Sequence, residues 1–378
     1  MEKQASFAVI ALLTVWLMLA AGGCHPWRSY ESALVLIDIA AGDGPSRLKH
    51  TTRKPQRITV RYRSEGQQGQ GDLYRPAAEI RAGLLLVPGV AETGKDDPRL
   101  VAFATTLARA GFAVLVPDLP NLRQLRVSPD DVGQLVDAFA WLVANPQLAP
   151  QGRAGMAAFS YAAGPTLLAS LDTAICQRVQ FVFAVGAYYD LNRVLTFCTT
   201  GYYRQNGRWH YLQPNEYGTW AFVASNVHRL SNAKDRALFQ QMTRRKLTDL
   251  TASTADLAAG LGKEGQALHA LISNRDPRRV ELLLKALPVA IRQDIAALNL
   301  AGADLSRLSA QLILVHGLND RMIPYVESVA LAKAVPKGQS HLFLVKGLEH
   351  VDMAPELPDR WRLWRAVSLL LSARDGKL

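Results

Sequence analysis

Short apolar runs alternate along this 378-residue chain with segments of helical periodicity. The runs that we interpret as strands are residues 82–87, 112–116, 155–159, 179–185, 312–315 and 341–345. Runs without polar alternation are typical of strands buried on both faces, and helices between them make successive strands parallel. The pattern therefore predicts an α/β fold with a mostly parallel sheet that helices cover on both faces.

The alternation of strands and helices stops near Asp190 and resumes after about residue 305. We interpret residues 191–305 as a helical cap, inserted between two parts of the core at residues 25–190 and 306–378. The aromatic residues of this stretch either line a pocket for an apolar acyl or aryl group or form the core of the cap. They are Tyr202, Tyr203, Trp209, Tyr211, Tyr217 and Trp220.

The region before the first buried strand shows weaker patterns. Residues 25–55 are expected to be an irregular lead-in. Residues 57–63 alternate between polar and apolar side chains, which predicts an edge strand, and residues 71–74 are expected to pair with it.

The N-terminal 24 residues have the pattern of an export signal. One lysine precedes an apolar run, and small residues then lead to Cys24. The stretch Ala-Gly-Gly-Cys resembles the lipobox of bacterial lipoproteins, which implies that Cys24 is lipidated and attaches the protein to a membrane. An uncleaved membrane anchor and simple secretion are the alternatives, and all three export the catalytic part.

The net charge of +11 comes from basic residues that are scattered along the chain. Scattered charge is typical of a solvated surface and argues against nucleic-acid binding, whereas its sign fits an anionic membrane surface.

Cys176 and Cys198 flank a predicted strand about 20 Å long, so we expect two separate thiols.

Residues 89–96 (GVAETGKD) come close to a phosphate-binding loop, but Asp96 replaces the hydroxyl residue that binds magnesium. We therefore expect no nucleotide site, and we expect Lys95→Ala to keep full activity. No sequence motif predicts a metal site or a cofactor.

Ser160 follows an apolar run directly and precedes small residues, within the sequence RAGMAAFSYAAGP. This is the layout of a nucleophile elbow, a strand-to-helix turn that exposes a serine hydroxyl. A serine also needs a neutral imidazole to accept its proton and a carboxylate to orient that imidazole. His350 and Asp320 each come just after a predicted strand, so we expect a Ser160–His350–Asp320 triad. Asp190 is the rival for the acid.

A tetrahedral oxyanion needs two N–H donors. We expect one from the backbone of Tyr161, which follows the nucleophile, and the other from Val90 in the loop after residue 87; Ala91 is the second choice. We expect His316 to hold the loop that carries Asp320. Glu349 and Asp352 are interpreted as surface or loop-pairing groups.

Five segments together resemble the α/β-hydrolases, and specifically the dienelactone-hydrolase-like and esterase branch with a helical cap. They are GDLYRP, LLLVPGV, AAFSYAAGP, LILVHGLNDRMIP and GLEHVDM, and the resemblance covers about residues 57–375. It implies Ser160 as nucleophile, Asp320 as acid, His350 as base and hydrolysis of an acyl bond. Two features depart from the family: Ala158 and Ala162 replace the glycines beside the nucleophile, and dienelactone hydrolases proper use a cysteine.

The sequence thus predicts an exported serine hydrolase that cleaves the carboxylic ester of a small acyl substrate and needs no cofactor. Two alternatives remain at this point. One is an amidase or thioesterase with the same triad, and the other is a catalytically silent binding module at the cell surface.

Overall fold

The computed structural model describes residues 26–349, 352–353 and 357–378, with the side chains of Pro26, Glu349, Asp352, Met353 and Leu357 excepted. The described strands are β1 (Gln56–Ser64), β2 (Gln67–Arg75), β3 (Ala82–Val87), β4 (Phe112–Pro117), β5 (Ala154–Phe159), β6 (Phe181–Val185), β7 (Tyr202–Gln205), β8 (Arg208–Tyr211), β9 (Gln311–Gly317), β10 (Ser340–Val345), β11 (Leu348–Glu349) and β12 (Asp352–Met353).

Helices fill most of the intervals between the strands. They are α1 (Pro26–Ala41), α2 (Arg47–Thr51), α3 (Pro98–Arg109), α4 (Pro120–Arg123), α5 (Asp130–Ala144), α6 (Ala163–Ser170), α7 (Leu191–Thr200), α8 (Glu216–Asn226), α9 (Ala233–Thr248), α10 (Ala255–Ala258), α11 (Lys263–Ser273), α12 (Val280–Ala286), α13 (Val289–Leu298), α14 (Val326–Ala334) and α15 (Leu357–Arg374).

Eight strands form one sheet in the order β1-β2-β4-β3-β5-β6-β9-β10. The pairs from β4 to β10 are parallel, whereas β1–β2 and β2–β4 are antiparallel. The predicted parallel sheet and the predicted edge strand are therefore confirmed. The carboxyl ends of the parallel strands meet at one edge, where sites of open α/β sheets assemble.

The sheet is buried on both faces because its strands carry apolar residues at successive positions. On β3, Leu85 and Val87 pack into one apolar cluster with α5 and α6, while Leu84 and Leu86 pack into another with α3 and α15. All four side chains are fully buried. Successive side chains of a strand point to opposite faces, so this pattern requires helices on both sides.

The expectation of an irregular lead-in over residues 25–55 is wrong, because α1 and α2 lie there. Helix α1 packs along α15, and its buried face includes polar residues that find partners far away in the chain. Asp38 is fully buried and pairs with Lys49 (2.8 Å) and Thr106 (2.6 Å). Burial alone would raise the pKa of Asp38, but hydrogen bonds from these neighbours outweigh it and lower the pKa. These polar positions hide the helical apolar stripe in the sequence.

The segment between β6 and β9 contains helices α7 to α13 and an exposed hairpin of β7 and β8. Several of its helices share an apolar cluster built around Trp220, Val223, Phe239 and Leu268. Within the described ranges, no helix is both long and apolar enough to cross a membrane. Residues 1–25, which include the predicted export signal and Cys24, lie outside the described residues.

Candidate active site

Ser160 lies at the turn between β5 and α6, where sequence predicted a nucleophile elbow. Its φ is +54°, and it begins a short 3-10 turn, Ser160–Ala162, which leads into the helix. A positive φ in a residue with a side chain is sparsely populated and persists only where the surrounding structure enforces it. The turn presents the hydroxyl at the carboxyl edge of the sheet, and Ser160 lines a cavity there.

The elbow tolerates alanine beside the nucleophile but requires glycine four residues later. Ala158 and Ala162 are buried with their methyl groups packed in the core. At Gly164, by contrast, an added Cβ would lie 1.8 Å from the hydroxyl oxygen of Tyr188. Tyr188 stacks on Tyr161 and donates a hydrogen bond to the Leu298 carbonyl (2.9 Å), so it joins the elbow to α13. Sequence reasoning missed this contact, since nothing local marks Gly164.

The two predicted oxyanion donors border the same cavity as Ser160. Tyr161 follows the serine directly, and Val90 lies in the loop between β3 and α3. Gly89 also lines the cavity. Their shared position is compatible with an oxyanion hole formed by the N–H groups of Tyr161 and Val90, which stays a prediction.

Asp320 lies in the loop that follows β9 and is almost fully buried. Its Oδ1 accepts hydrogen bonds from the backbone N–H groups of Met322 (2.7 Å) and Ile323 (3.0 Å). His316 is fully buried beside it, with Nε2 at 3.5 Å from Asp320 Oδ2 and 2.9 Å from the Ile323 carbonyl oxygen. His316 therefore holds the Asp320 loop, as expected.

His350, the predicted base, lies outside the described residues, as do the side chains of Glu349 and Asp352. The backbone that leads to it is described: Leu348–Glu349 pairs antiparallel with Asp352–Met353. Leu348 is buried against the end of β9 and lines the cavity that contains Ser160. The chain thus reaches the site two residues before His350.

Gly317 makes this approach possible, because an added Cβ would lie 1.8 Å from the Leu348 carbonyl oxygen. Backbone cannot give way as a flexible side chain does, so Gly317→Ala is expected to displace Leu348 and the residues after it. We expect kcat to fall at least about 10-fold and the free energy of unfolding to fall by about 1–3 kcal/mol. Ester turnover and urea unfolding measure these effects.

Gly302→Ala is the matched control for this substitution. An added Cβ at Gly302 meets no described atom within 4 Å, so the variant should resemble the wild type. Equal activity and stability in the two variants would show that the approach of Leu348 to Gly317 does not position the site.

Asp190, the rival for the acid, is engaged in capping α7. Its carboxylate accepts hydrogen bonds from Asn192 N–H (2.9 Å) and Asn299 Nδ2 (3.1 Å), and Arg193 lies 3.5 Å away. These contacts assign Asp190 a structural task at the start of the helix.

Glu327 of α14 is a buried acid that holds the turn before α7. Its Oε2 accepts hydrogen bonds from Tyr189 N–H (3.2 Å) and Asp190 N–H (2.8 Å), and Arg193 lies 4.0 Å from Oε1. Burial raises the pKa of Glu327 to about 7, although these hydrogen bonds and Arg193 act in the opposite direction.

This raised pKa predicts a pH-dependent stability. The folded state holds the Glu327 proton more tightly than the unfolded state, so the contribution is complete below pH ~4 and is lost as the pH rises towards 7. We expect Glu327→Gln to reduce the loss of unfolding free energy between pH 5 and 8 by up to about 3 kcal/mol. Urea unfolding at several pH values measures it.

The exposed Glu281→Gln is the control for this pH series. Asp131 is another buried acid, and burial raises its pKa to about 6. It titrates in the wild type and in Glu327→Gln alike, so the difference between their curves of stability against pH isolates Glu327. Parallel curves for wild type and Glu327→Gln would contradict the prediction.

Apolar side chains from the cap segment line the same cavity as Ser160. Leu191, Val194 and Leu195 come from α7, and Phe222 comes from α8. Of the six cap aromatics singled out in the sequence, Tyr217 lines this cavity, Trp220 belongs to the apolar cluster of the cap, and the other four lie on the β7–β8 hairpin. Sequence reasoning missed the aliphatic residues of α7, whose helical spacing resembles that of any core helix.

Cys198 and Cys176 are free thiols, which confirms the expectation of two separate cysteines. Cys198 is buried and lines the cavity next to Met322. Burial raises the pKa of the Cys198 thiol to about 12, so it is not a competing nucleophile near neutral pH.

No protein-family model matches the sequence, and no curated protein sequence matches it. Solved structures do match. A protein from Legionella pneumophila, provisionally described as a hydrolase, aligns with 90% of this chain and 95% of its own at a TM-score of 0.55 and 14% identity.

Two peptidases also align with this chain. A Mycobacterium tuberculosis puromycin-hydrolyzing peptidase has a TM-score of 0.48 and 15% identity, covering 86% of this chain and 39% of its own. A Pyrococcus horikoshii acylaminoacyl peptidase has a TM-score of 0.44 and 12% identity, covering 85% of this chain and 42% of its own. This chain thus spans about two fifths of the length of either peptidase.

The strand order and the alignment with the Legionella protein identify the class of fold. The chain has the α/β-hydrolase fold.

Proposed function

We propose that this protein is a serine hydrolase that cleaves a carboxylic ester through Ser160, His350 and Asp320. The observation that carries the proposal is the positive φ of Ser160 at a strand-to-helix turn, in a cavity that the loop after Asp320 also lines. Strained backbone of this kind at the carboxyl edge of a parallel sheet is characteristic of a nucleophile elbow.

The reaction would run in two halves. Ser160 Oγ attacks the acyl carbon while His350 takes its proton, and Asp320 keeps the imidazole oriented and stabilises its positive charge. The tetrahedral oxyanion accepts hydrogen bonds from the N–H groups of Tyr161 and Val90. When it collapses, the alkoxide leaves with the proton held by His350. A water molecule then gives its proton to His350, attacks the acyl-enzyme and releases the acid, and Ser160 regains its proton.

The cavity supports an apolar acyl group as substrate. Leu191, Val194 and Leu195 line the same cavity as Ser160, as do Met322 and Ile323 of the loop that follows Asp320. Burying methylene groups against such a surface stabilises binding by about 0.8 kcal/mol for each group. We therefore expect kcat/KM to rise with acyl chain length until the pocket is full.

A series of p-nitrophenyl esters of increasing chain length tests the proposal, using residues 25–378, which contain the whole described fold. Paired esters and amides of the preferred acyl group then distinguish an esterase from an amidase. If no ester or amide is turned over and a fluorophosphonate does not label Ser160, the silent binding module replaces this proposal.

We also propose that the protein is exported and attached to a membrane through a lipid on Cys24. The support for this is the sequence of residues 1–24. Metabolic labelling with a fatty-acid analogue should mark the full-length wild type, while Cys24→Ser should stay unlabelled. Equal labelling of both proteins would refute lipidation at this cysteine.

A further inference from the structure

The stretch GVAETGKD resembles a phosphate-binding loop in sequence but has another environment in the structure. It forms most of the loop between β3 and α3, the loop that carries Val90. Lys95, which would face phosphate in a nucleotide site, is largely buried and turns towards β2. Its Nζ donates a hydrogen bond to Asp72 at 2.9 Å.

Asp72 is the buried centre of an ionic cluster whose outer members, Arg57 and Asp96, are partly exposed. Its carboxylate is 3% exposed and accepts hydrogen bonds from Lys95 Nζ, Arg57 Nε (2.9 Å) and Thr59 Oγ1 (3.0 Å). Arg57 and Lys95 also pair with Asp96. Two acids and two bases are thus brought together from β1, β2 and the loop.

The directions in which the pKa values of Asp72 and Lys95 are shifted favour the ionised form of both groups. Burial alone would raise the pKa of Asp72, but hydrogen bonds from Lys95 and Arg57 outweigh it and lower the pKa. Burial alone would lower the pKa of Lys95, and its hydrogen bond to Asp72 reverses that direction. Asp72 and Lys95 thus form an ionised pair that is largely shielded from water. Either charge would be costly to bury without its partner, so the two groups must be held close together.

The position of Asp72 is set by the sheet, because β2 is paired with a strand on each side. Asp72 faces Thr59 of β1 and Val116 of β4 in the sheet register. Successive backbone turns then connect Lys95 to the start of the loop. Gly94 N–H bonds the Ala91 carbonyl (2.9 Å), and Asp97 N–H bonds the Gly94 carbonyl (3.2 Å).

We infer that Asp72 and Lys95 are positioning residues that fix the loop carrying Val90, so that its N–H stays aimed at the oxyanion. The inference rests on the proposed function. It also revises the expectation that Lys95→Ala keeps full activity. Loss of one oxyanion donor costs about 10²- to 10³-fold in kcat, so displacement of the loop should cost about 10-fold.

The test compares Lys95→Met with Lys95→Arg and with Lys337→Met, a control at an exposed lysine. In Lys95→Met, Arg57 still pairs with Asp72, so the fold should persist, and complete labelling by a fluorophosphonate would verify it. We expect kcat for the preferred ester to fall about 10-fold with KM within twofold of wild type. Lys95→Arg should recover most of the loss, and Lys337→Met should match the wild type.

A second measurement separates loop position from general stability. A trifluoromethyl ketone forms a tetrahedral oxyanion on the serine, so its Ki should rise about 10-fold in Lys95→Met. The double variant Asp72→Asn/Lys95→Met, which removes both charges, should show the same kcat and Ki as Lys95→Met.

Suppose that the wild type is active and Ser160→Ala is inactive. Unchanged kcat and Ki in Lys95→Met would then overturn this inference and leave the proposed function standing. An inactive, unlabelled wild type would overturn both.

Discussion

Ser160→Ala is expected to lower kcat for the preferred ester by about 10⁴- to 10⁶-fold, leaving only the small rate that binding and the oxyanion donors supply. Alanine fits the turn sterically and removes only the hydroxyl, so the fold should be retained. Stopped assays with long incubation measure the residual rate, and a fluorophosphonate should no longer label the protein.

Ser231→Ala, at an exposed serine of the segment between β6 and β9, is the control and should keep the wild-type rate. A Ser160→Ala protein that retains more than about one hundredth of the wild-type kcat would show that another group performs the attack.

Asp320→Asn is expected to lower kcat by about 10⁴-fold, because the amide can no longer hold the base in the tautomer that accepts the serine proton. The substitution keeps an oxygen for the N–H groups of Met322 and Ile323, so the loop should stay in place. Steady-state kinetics and urea unfolding separate the loss of activity from any loss of stability.

The same substitution at the rival acid provides the matched comparison. Asn at position 190 can still accept the hydrogen bond from Asn192 N–H, and we expect kcat within threefold of wild type. A large loss in Asp190→Asn with a small loss in Asp320→Asn would exchange the roles of the two carboxylates.

Much of the fold could be predicted because the relevant signals are local. The apolar runs of β3, β4 and β5 are continuous, since helices cover both faces of the sheet, and each run is ended by turn residues. The elbow at Ser160 is equally local, because a strand, a serine and small residues are contiguous in the chain.

The features that were not predicted depend on contacts between distant parts of the chain. Helix α1 was missed because its buried face carries polar residues such as Asp38, which are favourable only beside Lys49 and Thr106. The ion pair of Lys95 with Asp72 was not predicted, because Asp72 lies on β2, 23 residues earlier in the chain.

By itself the sequence determined the class of fold and the candidate nucleophile, because apolar periodicity and a serine at a strand end are properties of contiguous residues. Only the tertiary structure decided that Asp190 caps α7, which glycines allow another part of the chain to approach closely, and which side chains surround the cavity. Those are distances between residues far apart in the chain, and packing of the whole molecule sets them.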